Sequence, residues 1–87
     1  MFFKFHKNFK KQYKLLSLDQ KIKVEEALSK FLNNPYDLTL KNHKLVGALI
    51  GKRAISCAFD LRIVYEEVAG HAVVLFLKVG THNQVYK

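Results

Sequence analysis

Four histidines, His6, His43, His71 and His82, are spread among fifteen lysines and arginines in a chain of 87 residues. None stands at metal-ligand spacing from another histidine or from Cys57, and no glycine-rich loop precedes a helix to cradle a nucleotide phosphate. Neither a metal nor a cofactor is therefore expected. A lone serine or the single cysteine, outside any motif, is weak evidence for a nucleophile. Scattered histidines among cations do suit the cleavage of RNA by its own 2′-hydroxyl. That reaction needs a base at the hydroxyl, an acid at the leaving 5′-oxygen and positive charge on the phosphate. Composition alone leaves this as one reading among several, because such residue sets are common in basic proteins.

The charge narrows the field. Fifteen Lys and Arg against seven Asp and Glu leave a net +8. Met1 to Val24 hold seven lysines and one acid, and Lys41 to Arg53 hold four cations and no acid. Basicity gathered in two stretches implies one or two positive surfaces and an anionic polymer as partner, unless it serves solubility alone. Lys41, Lys44, Lys52 and Arg53 are the candidate RNA-backbone contacts. Tyr86 is a candidate to stack on a base. Hydrophobic residues at 49% and charged residues at 25% match a folded chain rather than a disordered one. A single domain, residues 1–87, is expected at this length. No apolar run is long enough to span a membrane, and Lys4, His6 and Lys7 interrupt the stretch where a signal peptide needs an apolar block, so a cytoplasmic protein is expected.

The elements that must position these residues follow from hydrophobic spacing. Phe3 and Phe5 read as a short extended entry. Phe9, Tyr13 and Leu16 then fall at helical spacing, which predicts a helix over about 6–16. Ser17 with Gln20 has the spacing of a capping box and opens a second helix, about 18–32, that Asn33, Asn34 and Pro35 end. After a loop to about Lys52 the period becomes two. Ile55 and Cys57 alternate with Ala54 and Ser56, and Leu61, Ile63 and Tyr65 alternate with Arg62, Val64 and Glu66. Ala72 to Val79 reads as a strand buried on both faces, hence central. Phe59-Asp60 and Ala69-Gly70 supply the turns. The class is α+β: two N-terminal antiparallel helices packed on an antiparallel sheet, in the order β-α-α-β-β-β.

Several segments together are more specific. Leu40-Lys41-Asn42-His43-Lys44-Leu45-Val46-Gly47, then Leu49, Gly51 and Arg53, then Asp60-Leu61-Arg62-Ile63-Val64-Tyr65, and finally Val79-Gly80-Thr81-His82, resemble the signature of the RelE superfamily in the branch nearest YafQ. Phe5, Phe9, Lys10 and Asn34-Pro35 also fit, so the resemblance spans nearly the whole chain. It implies a type II toxin that cuts messenger RNA in the A site of the small ribosomal subunit without a metal. It also implies a cognate antitoxin that silences the toxin, with operator DNA bound only through their complex.

The resemblance assigns His43 to the general base, His82 to the general acid, Asp60 to orienting a histidine or holding RNA, and Arg62 to the scissile phosphate. A guanidinium fork suits the last task better than an ammonium. Two positions depart from the YafQ pattern: Ser56 stands where those toxins have a second histidine, and Leu61 where they have tryptophan. Two other readings share the architecture. One is a gyrase-inhibiting toxin of the ParE type, and the other is an inactive subunit kept for antitoxin binding or repression. His43, His82 and Arg62 occurring together favour the nuclease.

Overall fold

A computed structural model describes residues 2–70 and 72–86. The chain runs β1 (Phe2–Phe5), α1 (Lys7–Lys14), α2 (Leu18–Asn33), a 3-10 turn (Leu38–Leu40), β2 (His43–Lys44), a second 3-10 turn (Gly47–Leu49), β3 (Arg53–Ala58), β4 (Leu61–Val68), β5 (Val73–Gly80) and α3 (His82–Val85). The five strands form one sheet in the order β1-β5-β4-β3-β2. The α+β class holds, and β3, β4 and β5 form the expected antiparallel meander. Two refinements follow. β1 pairs in parallel with β5, so the sheet is mixed at that edge, and the middle strand is β4, with β5 beside it.

Local chemistry accounts for the helices. The His6 ring accepts from Asn8 N at 3.0 Å and caps α1, which gives that histidine a structural task. Ser17 and Gln20 form the reciprocal capping box that opens α2. α1 lies against β5, and α2 lies against β3. Between them Phe5, Phe9, Tyr13 and Leu28 line a groove.

The covered face of the sheet holds the main core. Phe31 of α2 meets Tyr65 edge-on at 5.0 Å and Phe76 at 5.6 Å, and Phe9 of α1 reaches Phe76 at 6.2 Å. Such pairs add to the apolar burial that stabilises a small domain. A bulge makes this packing possible. Val64 pairs with Lys78, yet Tyr65 pairs with Phe76, which leaves Leu77 as the extra residue. Phe76 and Val79, three apart, can thus both face the helices, while Leu77 packs on the other side. Gln12 Oε1 of α1 accepts from Val79 N at 2.9 Å, tying the helix to the strand just past the bulge.

Candidate functional site

The opposite face of the sheet is covered only in part, and strand register decides what stands there. His43 pairs with Ala54, Ala54 with Val64, and Ser56 with Arg62. Directly paired residues share a face, and so do residues two apart along a strand. His43, Ala54, Ser56, Arg62 and Val64 therefore share the side away from α1 and α2. Val85 of α3 is fully buried against Ala54 and Val64, with Leu45, Leu77 and Tyr86 around it. One apolar residue thus docks the helical turn that carries His82 and Tyr86 beside Arg62.

β2 and its flanks hold His43. Asn42 donates through Nδ2 to the Pro35 carbonyl at 2.9 Å and to the Tyr65 hydroxyl at 2.7 Å, and its Oδ1 accepts from Arg53 Nε at 2.8 Å. These bonds fix the backbone next to His43 and satisfy a phenol that burial keeps protonated, its pKa pushed up. The His43 ring is exposed, and its Nδ1 lies 2.9 Å from the Lys41 carbonyl. A carbonyl oxygen can only accept, so Nδ1 carries the proton, and in the neutral ring Nε2 bears the lone pair. Lys41 itself takes a left-handed conformation, φ 51°, at the end of the first 3-10 turn, and this brings its carbonyl under the ring.

Arg62 is half-buried. Its Nη1 donates to the Ala58 carbonyl at 2.8 Å, to Ser56 Oγ at 3.2 Å and to the Leu61 carbonyl at 3.3 Å. The pairing shift between Ser56 and Ala58 turns those acceptors toward the guanidinium. Ser56, which departs from the family pattern, thus serves to hold Arg62. The positive charge reaches two neighbours. It opposes the burial that pushes the Cys57 thiol up to about 12, and the burial that raises the Tyr86 phenol. Cys57 stays a neutral thiol at physiological pH, which removes it as a nucleophile.

Asp60 and His82 meet through the backbone. The Asp60 carboxylate accepts from His82 N at 3.0 Å, so it holds the histidine through its main chain rather than its ring. Thr81 and Gln84 form a second capping box at the start of α3. The His82 ring packs edge-on to Tyr86 at 4.5 Å.

The expected residues therefore divide. His43, Asp60, Arg62, His82 and Tyr86 belong to the open face and its rim. Lys41 lies beside Arg62 in a cleft at the end of the sheet. Lys44, Lys52 and Arg53 line a different depression, and Arg53, expected among the RNA contacts, spends Nε on Asn42 while lying 5.5 Å from the Tyr36 ring centre. Asn42 and Gln84 were not singled out in the sequence. Thr81 and Gln84 do repeat the Ser17–Gln20 spacing, so the second cap was open to detection. Asn42 stood inside the segment that carries the resemblance, but its bonding role left no signal in the spacing, because two of its partners lie 11 and 23 residues away.

Comparison with known proteins places this geometry. The chain superposes on YafQ from Escherichia coli strain BL21(DE3) with a TM-score of 0.81 at 20% identity, over 98% of this chain and 97% of that one. For the E. coli DinJ-YafQ toxin-antitoxin complex the TM-score is 0.77 at 21% identity, covering 98% and 96%. A YoeB/ParE toxin from Agrobacterium tumefaciens gives 0.78 at 14% identity, covering 94% and 99%. At these identities the superpositions show a shared fold. Compared by sequence with curated proteins, the chain has no significant match. The family model described as the bacterial toxin of type II toxin-antitoxin system, YafQ, matches residues 1–87, and the chain belongs to that family.

Proposed function

We propose that this toxin is an mRNA endonuclease that cuts messages on the ribosome in the cytoplasm, using no metal, and that a cognate antitoxin holds it silent. The observation that carries the proposal is the 2.9 Å contact of His43 Nδ1 with the Lys41 carbonyl, which leaves Nε2 available on the face that also bears Arg62 and the α3 turn. In this reading Nε2 removes the proton from the 2′-hydroxyl and the oxygen attacks phosphorus. The bond to the 5′-oxygen breaks, and the protonated His82 imidazole supplies that oxygen with a proton. Arg62 stabilises the charge that builds on the phosphoryl oxygens. The products are a 2′,3′-cyclic phosphate and a 5′-hydroxyl. Asp60 is a positioning residue, holding His82 through its backbone. Family membership and the complex formed by E. coli YafQ support the antitoxin, and any operator contact is made through it.

The test expresses the protein with and without its antitoxin and maps message ends on ribosomes, using a message with one 2′-O-methyl nucleotide at a mapped cut. Cyclic-phosphate ends should form at every site except the methylated one, and should persist when EDTA is balanced by only enough magnesium to keep ribosomes intact. Cutting at the methylated nucleotide refutes the mechanism. Gyrase inhibition with an intact message would put the ParE-type reading in its place.

A further inference from the structure

A cleft of about 460 Å³ opens beside Arg62, between α2, the first 3-10 turn and the β3–β4 turn. Four cations line it, Lys23 and Lys30 from α2, Lys41 and Arg62, against one carboxylate, Glu26. The carboxylate is poorly matched to its neighbour: Lys23 Nζ lies 3.9 Å from it, and both side chains are about half exposed or more, at 47% and 60%. Such a pair contributes little and is easily exchanged for another anion. Lys30 is held in place by Thr39 Oγ1 at 3.1 Å, although the Asp37 carboxylate behind that hydroxyl tempers its charge. At the lip, on the turn between β3 and β4, the Phe59 ring is 97% exposed. Among the described lining residues it is the large apolar group that faces solvent.

An exposed ring on a tight turn gains nothing from water, and it stands next to a cationic channel that leads to the residue assigned to the scissile phosphate. Cations that follow a backbone, with an aromatic ring beside them, make a surface for single-stranded nucleic acid, since every base has a face to stack. An acidic protein segment would instead seek an apolar strip along the floor, and there Ala27 and Leu40 are buried and offer it little surface. We propose that the cleft is a subsite for single-stranded RNA flanking the cut, with Lys23, Lys30 and Lys41 on its phosphates and Phe59 stacked on a base. The proposal rests on the nuclease reading for its direction from Arg62, but its test does not depend on cutting.

The probe is a fluorescein-labelled oligoribonucleotide of about ten residues, within the span such surfaces cover, fully 2′-O-methylated so that it stays intact. Its binding is followed by anisotropy between low and moderate salt. The triple variant Lys23→Gln, Lys30→Gln, Lys41→Gln should bind about tenfold or more weakly, with the slope of log affinity against log salt reduced by about 2, since each single-strand phosphate contact contributes roughly 0.7. Phe59→Ala should lose about 5- to 100-fold with the slope unchanged, as stacking carries no charge. Lys7→Gln, Lys11→Gln, Lys14→Gln on α1 is the charge-matched control and should lose less. All variants alter exposed side chains, and circular dichroism checks their folding. Equal losses in both triple variants with no effect of Phe59→Ala overturn the subsite, as does wild-type protein that fails to bind the probe. Cleft variants that keep RNA affinity but lose the antitoxin also overturn it and give the cleft to a protein. Wild type that binds through the cleft yet cuts no message leaves the subsite standing and removes the nuclease reading.

Discussion

The two faces of the sheet are built on different terms. The face under α1 and α2 carries a cluster of twelve buried residues with interlocking aromatic rings around Phe76. The other face has a buried cluster of three, Ala54, Val64 and Val85, closed by one short helical turn. Stability is thereby concentrated on one side, and the polar side chains on the other are free to be chosen for what they do. Substitutions should separate along this line, those on the open face changing turnover and those under the helices changing stability.

The largest effects belong to the open face. His43→Ala and His82→Ala should each lower cleavage on ribosomes by about 10² to 10⁴-fold, the usual loss for a positioned base or acid. Antitoxin affinity and the urea midpoint should hold. A variant that cuts at near-normal rate would place its histidine outside the centre. Under the helices the order reverses. Phe76→Ala removes the ring that Phe5, Phe9, Phe31 and Tyr65 pack against and should cost about 3–5 kcal/mol in urea unfolding, a large share of a small domain's stability. Loss of activity without loss of stability there would erase the contrast between faces.

Gly80→Ala tests the seam between them. A Cβ on Gly80 would lie 2.5 Å from Gln84 Oε1, the atom that accepts from Thr81 N at 2.8 Å and closes the cap of α3. Gln84 must then give way, so His82 should shift and cleavage fall roughly 10- to 100-fold, since small misplacements of catalytic groups are costly. Stability should change by only about 1 kcal/mol, the scale of a lost cap. Equal behaviour of Gly80→Ala and wild type would show that α3 need not be held so closely. The smallest effect lies far from either face. Ala69 is left-handed, φ 52°, ahead of Gly70 in the turn between β4 and β5. Ala69→Gly should raise stability by up to about 1 kcal/mol and leave cleavage unchanged, which a shift of the urea midpoint would reveal.

Elements set by local spacing were legible in the sequence, and those set by distant partners were not. Ser17 with Gln20, and Asn34-Pro35, bounded α2 to within a residue. β2 escaped because two residues cannot display a period, and its place is set by pairing with β3. The same holds within the site. The resemblance to the RelE superfamily assigned proton transfer to His43 and His82 and phosphate binding to Arg62 before any fold was known. The tautomer of His43, the bond from Asp60 to a main-chain N–H and the diversion of Arg53 to Asn42 are all relations between segments. Spacing along the chain does not encode them.

The parallel pairing of β1 bears on how the protein is made. Phe2 finds Val73 about seventy residues later, and α3 docks on strands that are all synthesised before it. A nascent chain carries its first strand unpaired until β5 emerges, since contacts so distant in sequence form late. His82 and Tyr86 join the face last of all. Under the proposed mechanism, the general acid is thus the last of the assigned groups to reach the open face.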